Sequence, residues 1–474
     1  MASAPELETD SLTLRRAYRQ SIRDFAALQI PPTAAEASMP DAPHPEEAGD
    51  GRDEFIIAAG IPWYMTLFGR DSLITAYQAL PYFPAAAKGT LRALARLQGT
   101  HVDRLRAEEP GKILHEYRSP TFTGFQDSAA MFPYFGTIDA TPLFLQLLAD
   151  VYRVTGDLEL ARELHENALR ALDWMARYGD RDGDGYLEYL REAEVGLENQ
   201  GWKDAGDALR HRDGRLAQPP IALCEVQGYV YAAKVGMAEV FAALGDTKRA
   251  ERLAEEAAEL KARFNRDFWM EERGCFAFAL NGAKRQVDAL TSNAGQVLWS
   301  GIADAEKARV VAARLVSPEL FSGWGVRTMA TTEGGYNPIS YHNGSVWPHD
   351  TSLIVAGLAR YGCVDEARRI AAGMFAALDF SPDGRLPELF AGYSATEAPF
   401  PVEYPTACRP QAWAAGSIFL LLSVMAGADP SARAGANVAF LPATLGHVRL
   451  RDIWVGGQQV EVEVWRDGET AALT

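Results

Sequence analysis

The feature that most constrains this chain is a repeated corner: a helix end, a glycine turn, then an Ala/Leu/Glu/Arg-rich helix. It occurs in VYRVTGDLELARELHENALRALDWM at 151–175 and in VFAALGDTKRAERLAEEAAELKARF at 240–264. It returns in GLARYGCVDEARRIAAGMFAAL at 357–378, with Gly362 at the corner and Asp365 opening the second helix. The glycine supplies a left-handed residue that ends one helix, and the Asp can cap the next. Corners at 156, 245 and 362 are too unevenly spaced for a tandem solenoid of short repeats. Apolar periodicity predicts helices over 11–29, 71–80, 86–98, 140–155, 158–178, 225–244, 247–268, 293–300, 303–315, 350–361, 364–379 and 410–426. About twelve helices in hairpins, joined by long loops rich in Trp, Tyr and Gly, predict an all-α fold, an α/α toroid with paired inner and outer helices. A stacked α-solenoid is the alternative, and it would have shorter loops with fewer such residues.

The two ends differ from this middle. Residues 11–29 place Leu12, Leu14, Tyr18, Ile22 and Phe25 near one helical face, and the Ala/Pro/Glu-rich stretch 31–53 reads as a linker. The tail strings HVRLRDIWV, QQVEVEVW and ETAAL alternate with period two, with Gly456-Gly457 and Asp467-Gly468 at the turns. They predict a small β-meander acting as a stabilising flap. The expected division is 1–54 as N-terminal helix and linker, 55–428 as the toroid, and 429–474 as a β-rich extension.

Charge excludes some partners. With 46 Lys+Arg against 63 Asp+Glu, the net charge of −17 argues against nucleic acid and against an anionic membrane surface. Cys224, Cys275, Cys363 and Cys408 are far apart and form no CxxC pair, which favours buried reduced thiols over a disulfide framework or zinc. The N-terminal MASAPELETDSLTLRR carries no apolar h-region, and no run of 18 apolar residues occurs. A cytoplasmic protein with a neutral or compact ligand is expected; the oligomeric state is not legible.

The chemistry-bearing residues gather at junctions. In AGIPWYMTLFGRDSLI (59–74), Trp63, Tyr64, Phe68 and Arg70 suggest a sugar-stacking platform with a polar clamp, while Asp71 can either cap a helix or bind ligand. In GLENQGWKDAGDALRHRDG (196–214), Trp202 and Asp204 share a Gly-rich loop. A carboxyl beside an indole in a partly dry cleft can stay protonated and act as a general acid; an Asp-Gly turn is the plainer reading. In YHNGSVWPHDTSLI (341–354), Asp350 can cap, and His342 and His349 lack the i, i+4 spacing of a helical metal pair. Glu388 lies in SPDGRLPELFAGYS (381–394), and Glu397 and Glu403 are rival carboxylates that composition does not rank. Asp180, Asp182, Asp184 and Gly185 copy half of an EF-hand loop, but Arg191 stands at position twelve, which favours a polar turn over calcium. Neither a metal nor a cofactor is expected, since no Walker loop, Rossmann fingerprint or nucleophile elbow occurs. Two carboxylates on different loops amid Trp, Tyr and Arg are what glycoside hydrolysis needs.

The strings AGIPWYMTLFGRDSLIT, NQGWKDAGDA, PIALCEVQGYVYAA, YHNGSVWPHD, RLPELF and CRPQAWAAGS, spread over 55–420, resemble the amylo-α-1,6-glucosidase (glycogen debranching enzyme) family and its bacterial relatives. That resemblance implies an (α/α)6 barrel and an inverting, exo-acting α-glycosidase acting on a carbohydrate, with α-1,6-glucosidic branches of α-glucans as the substrate. It implies Asp204 as general acid and Glu388 as general base. Arg70, Asp71 and Trp347 would line the terminal-sugar subsite, Trp63 and Trp202 would stack on sugar, and Lys203, Tyr341, His342, His349, Asp350 and Gln411 would complete the surroundings. Glu225 would orient the site rather than do acid–base work. Relatives of this kind often carry a β-rich N-terminal region. The same toroid also serves enzymes of small glucosides, so a glucosylglycerate- or disaccharide-type substrate, or a non-catalytic carbohydrate-binding toroid, stands beside the glucan reading.

Overall fold

In the computed structural model, which describes residues 4–30, 55–118, 131–431, 438–466 and 470–471, the glycine corners fall where the sequence puts them. Gly156 is left-handed (φ 72°) and its N–H bonds to the Tyr152 carbonyl, ending one helix, while Asp246 accepts from the Arg249 N–H and caps another. Thirteen helices are named here: α1 (Leu12–Ala27), α2 (Gly69–Gln78), α3 (Pro84–Arg96), α4 (Ala140–Thr155), α5 (Glu159–Glu163), α6 (His165–Trp174), α7 (Cys224–Ala243), α8 (Thr247–Asp267), α9 (Asn293–Ser300), α10 (Ala305–Leu315), α11 (Pro348–Arg360), α12 (Val364–Leu378) and α13 (Ala412–Met425). The single helix expected over 158–178 bends at Leu164, where helical bonding continues from Leu164 N to Leu160 O and from Ala168 N to Leu164 O, both 2.9 Å. It ends in a wider π turn, Met175–Gly179.

Two kinds of helix alternate. Helices α2, α9 and α13 are buried along their whole length and α11 in all but Arg360, so they present no face to water. These four, with α4 and α7, pack in a closed circuit, α2 on α4, α4 on α7, α7 on α9, α9 on α11, α11 on α13, and α13 back on α2. The others lie outside it, α3 against α2 and α4, α8 against α7, α10 against α9, α12 against α11, and α1 against α13. Each shows a stripe to the circuit: α8 buries Ala250, Leu253, Ala257, Leu260 and Phe264 and leaves its Glu/Arg/Lys face in water. In α1, Leu14, Tyr18 and Phe25 are buried as the periodicity predicts, but Leu12 at the first turn is 67% exposed.

The tail forms the expected hairpin. β1 (Glu6–Thr9), β2 (His447–Val455), β3 (Gln458–Trp465) and β4 (Thr470–Ala471) make an antiparallel sheet in the order β1-β2-β3-β4. Gly456 and Gly457, both with positive φ, make the tight turn that the right-handed twist of a hairpin favours. Strand β1 goes beyond the sequence expectation, and it ties the chain's first residues to its last. The linker 31–53 and the Asp467-Gly468 turn lie outside the described residues. No helix among the described residues is long and apolar enough to cross a membrane.

Candidate active site

Helices α2, α11 and α13 begin at junctions singled out in the sequence, and α7 begins directly after the short strand Ala222–Leu223. Two-residue strands hold these loops: Leu67–Phe68 pairs with Glu116–Tyr117, and Ala222–Leu223 pairs with Ala279–Leu280. The loops enclose a cavity of about 210 Å3. Its walls include Tyr64, Phe68, Arg70, Asp71, Trp202, Asp204, Tyr341, His342, Trp347, Glu388 and Gln411, eleven residues named from the sequence.

Arg70, in the first turn of α2, organises one wall. Its Nε donates to Asp139 Oδ2 at 2.7 Å, its Nη2 to the Gly201 carbonyl at 2.9 Å, and its Nη1 reaches Asp204 Oδ2 at 3.4 Å. Asp139, itself buried, also accepts from the Thr137 hydroxyl at 2.6 Å, so the guanidinium is held from behind while one nitrogen faces Asp204. Burial pushes the Asp204 carboxyl up to about 6, with Arg70 pulling it down. Asp71 is pushed further, to about 7, by burial against the same opposing guanidinium. Neither Asp71 nor Asp350 caps its helix: the N-cap positions of α2 and α11 are held by Phe68 and Trp347, with no side-chain cap.

Glu388 is held differently. Its Oε1 accepts from the Tyr341 hydroxyl at 2.6 Å and from Gln411 Nε2 at 3.4 Å, and its Oε2 accepts from the Cys408 N–H at 2.8 Å. Burial raises its carboxyl, and the Tyr341 and Cys408 donors work against that rise by stabilising the ionised form. A carboxylate has about four lone-pair sites, so it keeps capacity for a water after these contacts. The rivals separate from it clearly. Glu397 is engaged with Ser394 at the surface, and Glu403 is 83% exposed and pairs with Arg409. Neither lines the cavity.

Beneath the walls lies an aromatic floor. His349 stacks on Trp413 with ring centres 3.8 Å apart, and meets Trp202 and Trp347 edge-on at 5.0 and 5.5 Å. His342 stacks on Trp347 and its Nδ1 accepts from the Ala205 N–H at 3.3 Å. Burial drives both histidines well below their usual range, so both are neutral.

Five residues named from the sequence are not in the lining. Trp63 turns outward, 58% exposed, its indole N–H on the Thr406 carbonyl, because the turn that pairs Gly60 with Tyr64 sends the next residue, Tyr64, inward instead. His349 lies within the floor itself, and Lys203, Glu225 and Asp350 form a layer behind it. Lys203 donates to the Thr328 carbonyl at 2.6 Å and lies 5.0 Å from the centre of the Trp202 ring. Burial lowers the Lys203 ammonium and raises Glu225 and Asp350, while the opposite charges pull each back. Asp350 accepts from Gln296 Nε2 rather than facing the cavity.

His115, Glu116, Arg118, Leu197 and Trp413 also line the cavity, and Asp139 stands behind it, none of them singled out from the sequence. ILHEYR at 113–118, a polar and aromatic string between helices, carried the signal for three of them. Asp139 stands one residue before a helix, where an Asp reads as a cap. Elsewhere, the Asp180–Asp184 turn is closed by a side chain: Lys284 Nζ contacts Asp182 at 2.9 Å, Asp184 at 2.6 Å, and Glu188. Asp180 itself accepts from the Gly183 and Gly185 N–H groups.

Known structures share this fold. The chain superposes on a sialidase with a TM-score of 0.63 at 10% identity, covering 98% of this chain but only 38% of that one. It superposes on the GH63 mannosylglycerate hydrolase from Thermus thermophilus, solved in complex with Tris, with a TM-score of 0.60 at 14% identity, covering 85% of this chain and 99% of that one. At such identities the likeness is one of fold. No curated protein matches the sequence. Residues 82–394, well over half of the chain and including Asp204 and Glu388, match the model of the mannosylglycerate hydrolase MGH1-like glycoside hydrolase domain. This supports the glycosidase that the six strings imply without singling out an amylo-α-1,6-glucosidase. The chain belongs to the mannosylglycerate hydrolase MGH1-like glycoside hydrolase family.

Proposed function

We propose that the protein is an inverting glycosidase of small glycosides, of the mannosylglycerate or glucosylglycerate type, with Asp204 as general acid and Glu388 as general base. The observation that carries this reading is that the two carboxylates line one cavity from different loops in unlike surroundings. Asp204, raised to about 6, holds a proton into mildly acidic pH and gives it to the glycosidic oxygen as the bond to C1 breaks. Glu388, held by two good donors, takes a proton from the water whose oxygen attacks the opposite face of C1. The product then carries the inverted anomeric configuration, with the carboxyls about 6.5–9.5 Å apart in such enzymes. Trp202, Trp347 and Trp413 offer faces and edges for sugar stacking, and Arg70 and Asp71 offer polar contacts to hydroxyls.

The match of residues 82–394 to the mannosylglycerate hydrolase MGH1-like domain favours a small glycoside over a branched polymer. The closed circuit of six helices with partners outside it is read as an (α/α)6 barrel over 55–428, flanked by 1–54 and 429–474. Four free, buried cysteines support a reducing cytoplasmic setting. The test is a panel of small glycosides and a branched limit dextrin, with NMR detection of the released anomer. Turnover of small glycosides with inversion is expected, and Asp204→Asn and Glu388→Gln should each lower kcat about 10²–10⁴-fold while the helical signature stays. Glucose release confined to the limit dextrin would return the assignment to α-1,6-glucan branches. Sugar binding without turnover of any substrate would make the toroid a binding protein.

A further inference from the structure

The helices of the closed circuit run in parallel, so a second cavity lies at their C-terminal end, remote from the first. It measures about 270 Å3 and is lined by Gln146, Asp150 and Arg153 of α4, Glu239 of α7, Arg360 of α11 and Ser431 beyond α13, among others. The polar network behind it is built. Trp299 Nε1 donates to the Tyr77 hydroxyl at 2.8 Å, which donates to Asp429 Oδ1 at 2.8 Å, and the same carboxylate oxygen accepts from the Ser431 N–H and hydroxyl at 3.0 Å. Arg153 reaches Asp150 and, at 2.9 Å, Glu239, and Arg360 donates to Ser431.

Three buried atoms in this network are left without a partner: Asp150 Oδ2, Gln146 Oε1 and Asp429 Oδ2, on residues 0, 4 and 5% exposed. All three are acceptors, and two belong to residues that line the cavity. Around it Asp150, Glu239 and Asp429 face Arg153 and Arg360, and Lys261 of α8 bonds the Gly301 carbonyl at the rim. The C-terminal ends of α4, α9 and α11 add negative potential on the same side. A ligand that satisfies these acceptors must therefore supply donors, and the helix C-termini favour one that carries positive charge. An unpaired buried acceptor keeps its desolvation penalty, so a ligand that satisfies two of them is favoured.

We propose that this cavity binds a small organic cation through a primary ammonium that donates to Asp150 Oδ2 and Gln146 Oε1. The space exceeds the roughly 30 Å3 that one water or bare ion occupies. The only group of three acidic side chains close enough for a metal, among the described residues, is at Asp180–Asp184, so a carboxylate metal site is not formed here. Burial raises the Asp150 carboxyl to about 7, against Arg153 on its own helix and Arg360 from α11, and with Asp429, Glu239 from α7 and Tyr77 from α2 nearby. Cation binding favours the ionised form, so affinity rises with pH across 7. A group with that pKa gives about a tenfold change between pH 6 and pH 8.

The experiment is calorimetric titration of the full chain with putrescine and with ethanolamine, at pH 6 and pH 8 in sodium buffer, with K+ and Mg2+ as separate arms. Saturable amine binding at pH 8, about tenfold weaker at pH 6, abolished by Asp150→Asn and weakened by Gln146→Leu, is the expected result. The uncharged Gln146→Leu decides the matter should Asp150→Asn fail to fold. Absence of saturable amine binding, binding of K+ or Mg2+ alone, or amine binding that Asp204→Asn removes while Gln146→Leu does not, would overturn the proposal. The outcome is independent of which glycoside is hydrolysed.

Discussion

The two ends of the same helices solve different problems. At the C-terminal end an inner helix passes to an outer one through a tight corner, as at Gly156, Gly245 and Gly362, all with positive φ. At the N-terminal end the chain returns through long loops pinned by two-residue strands, and there Arg70, Asp204, Tyr341 and Glu388 meet. The corners bear on stability and the loops on chemistry. Substitutions at one end should thus leave the other's property untouched, and Arg70 is the instructive exception because it joins both.

The largest effect is expected there. Arg70→Met removes the cation from a pair in which Asp139 is 1% exposed, and leaving a buried carboxylate unpaired costs about 3–5 kcal/mol. Chemical denaturation should show that loss. Activity should change in a second way. Arg70 lowers the Asp204 carboxyl, so its removal raises it further. An acid that must be protonated loses activity as pH rises through its pKa. The wild-type profile of kcat/KM should fall above about 6, and in Arg70→Met this limb should move to higher pH. An unmoved limb would mean that Asp204 is not the acid.

A smaller effect, confined to the loops, tests Glu388. Tyr341→Phe deletes the 2.6 Å hydrogen bond to its Oε1, and bonds to a charged group are worth about 1.5–3 kcal/mol. Since the donor stabilises the ionised base, the low-pH limb of the profile should move up and kcat/KM should fall about 10–100-fold. Stability should change little in comparison with Arg70→Met. A parallel fall at every pH, with no moved limb, would make Tyr341 a substrate contact only.

The same division explains what was legible in the sequence. Inner and outer helices followed from periodicity and glycine corners, since both act within a few residues of chain. Eleven wall residues were readable because a loop dense in Trp, Tyr, Asp, Arg and His has few other uses. Depth was not readable. Lys203 and Asp204 are neighbours in one loop, yet one lies behind the floor and the other in the wall. Trp63 and Tyr64 likewise point to opposite sides. Strand β1 was hidden because four residues carry little pattern and their partner stands more than 400 positions away. Substrate identity also depends on cavity size, which three-dimensional closure sets and no local string encodes.

The smallest effect belongs to the corners. Gly245 has φ +90° and nothing within 4 Å of where a Cβ would stand, so Gly245→Ala tests backbone strain alone. An L-residue in this region costs about 1–2 kcal/mol. Gly156 has φ +72°, and there a Cβ would lie 3.4 Å from Gly457 Cα, in the hairpin of the tail, whose N–H bonds to the Val154 carbonyl at 2.9 Å. Gly156→Ala should therefore lower Tm by at least as much as Gly245→Ala, with any excess reporting how firmly the tail sheet is seated on the helices. Both should keep wild-type kcat and the same pH profile. A change in kcat from either would show that the two ends are mechanically coupled, and that the separation of corner and loop is only one of sequence.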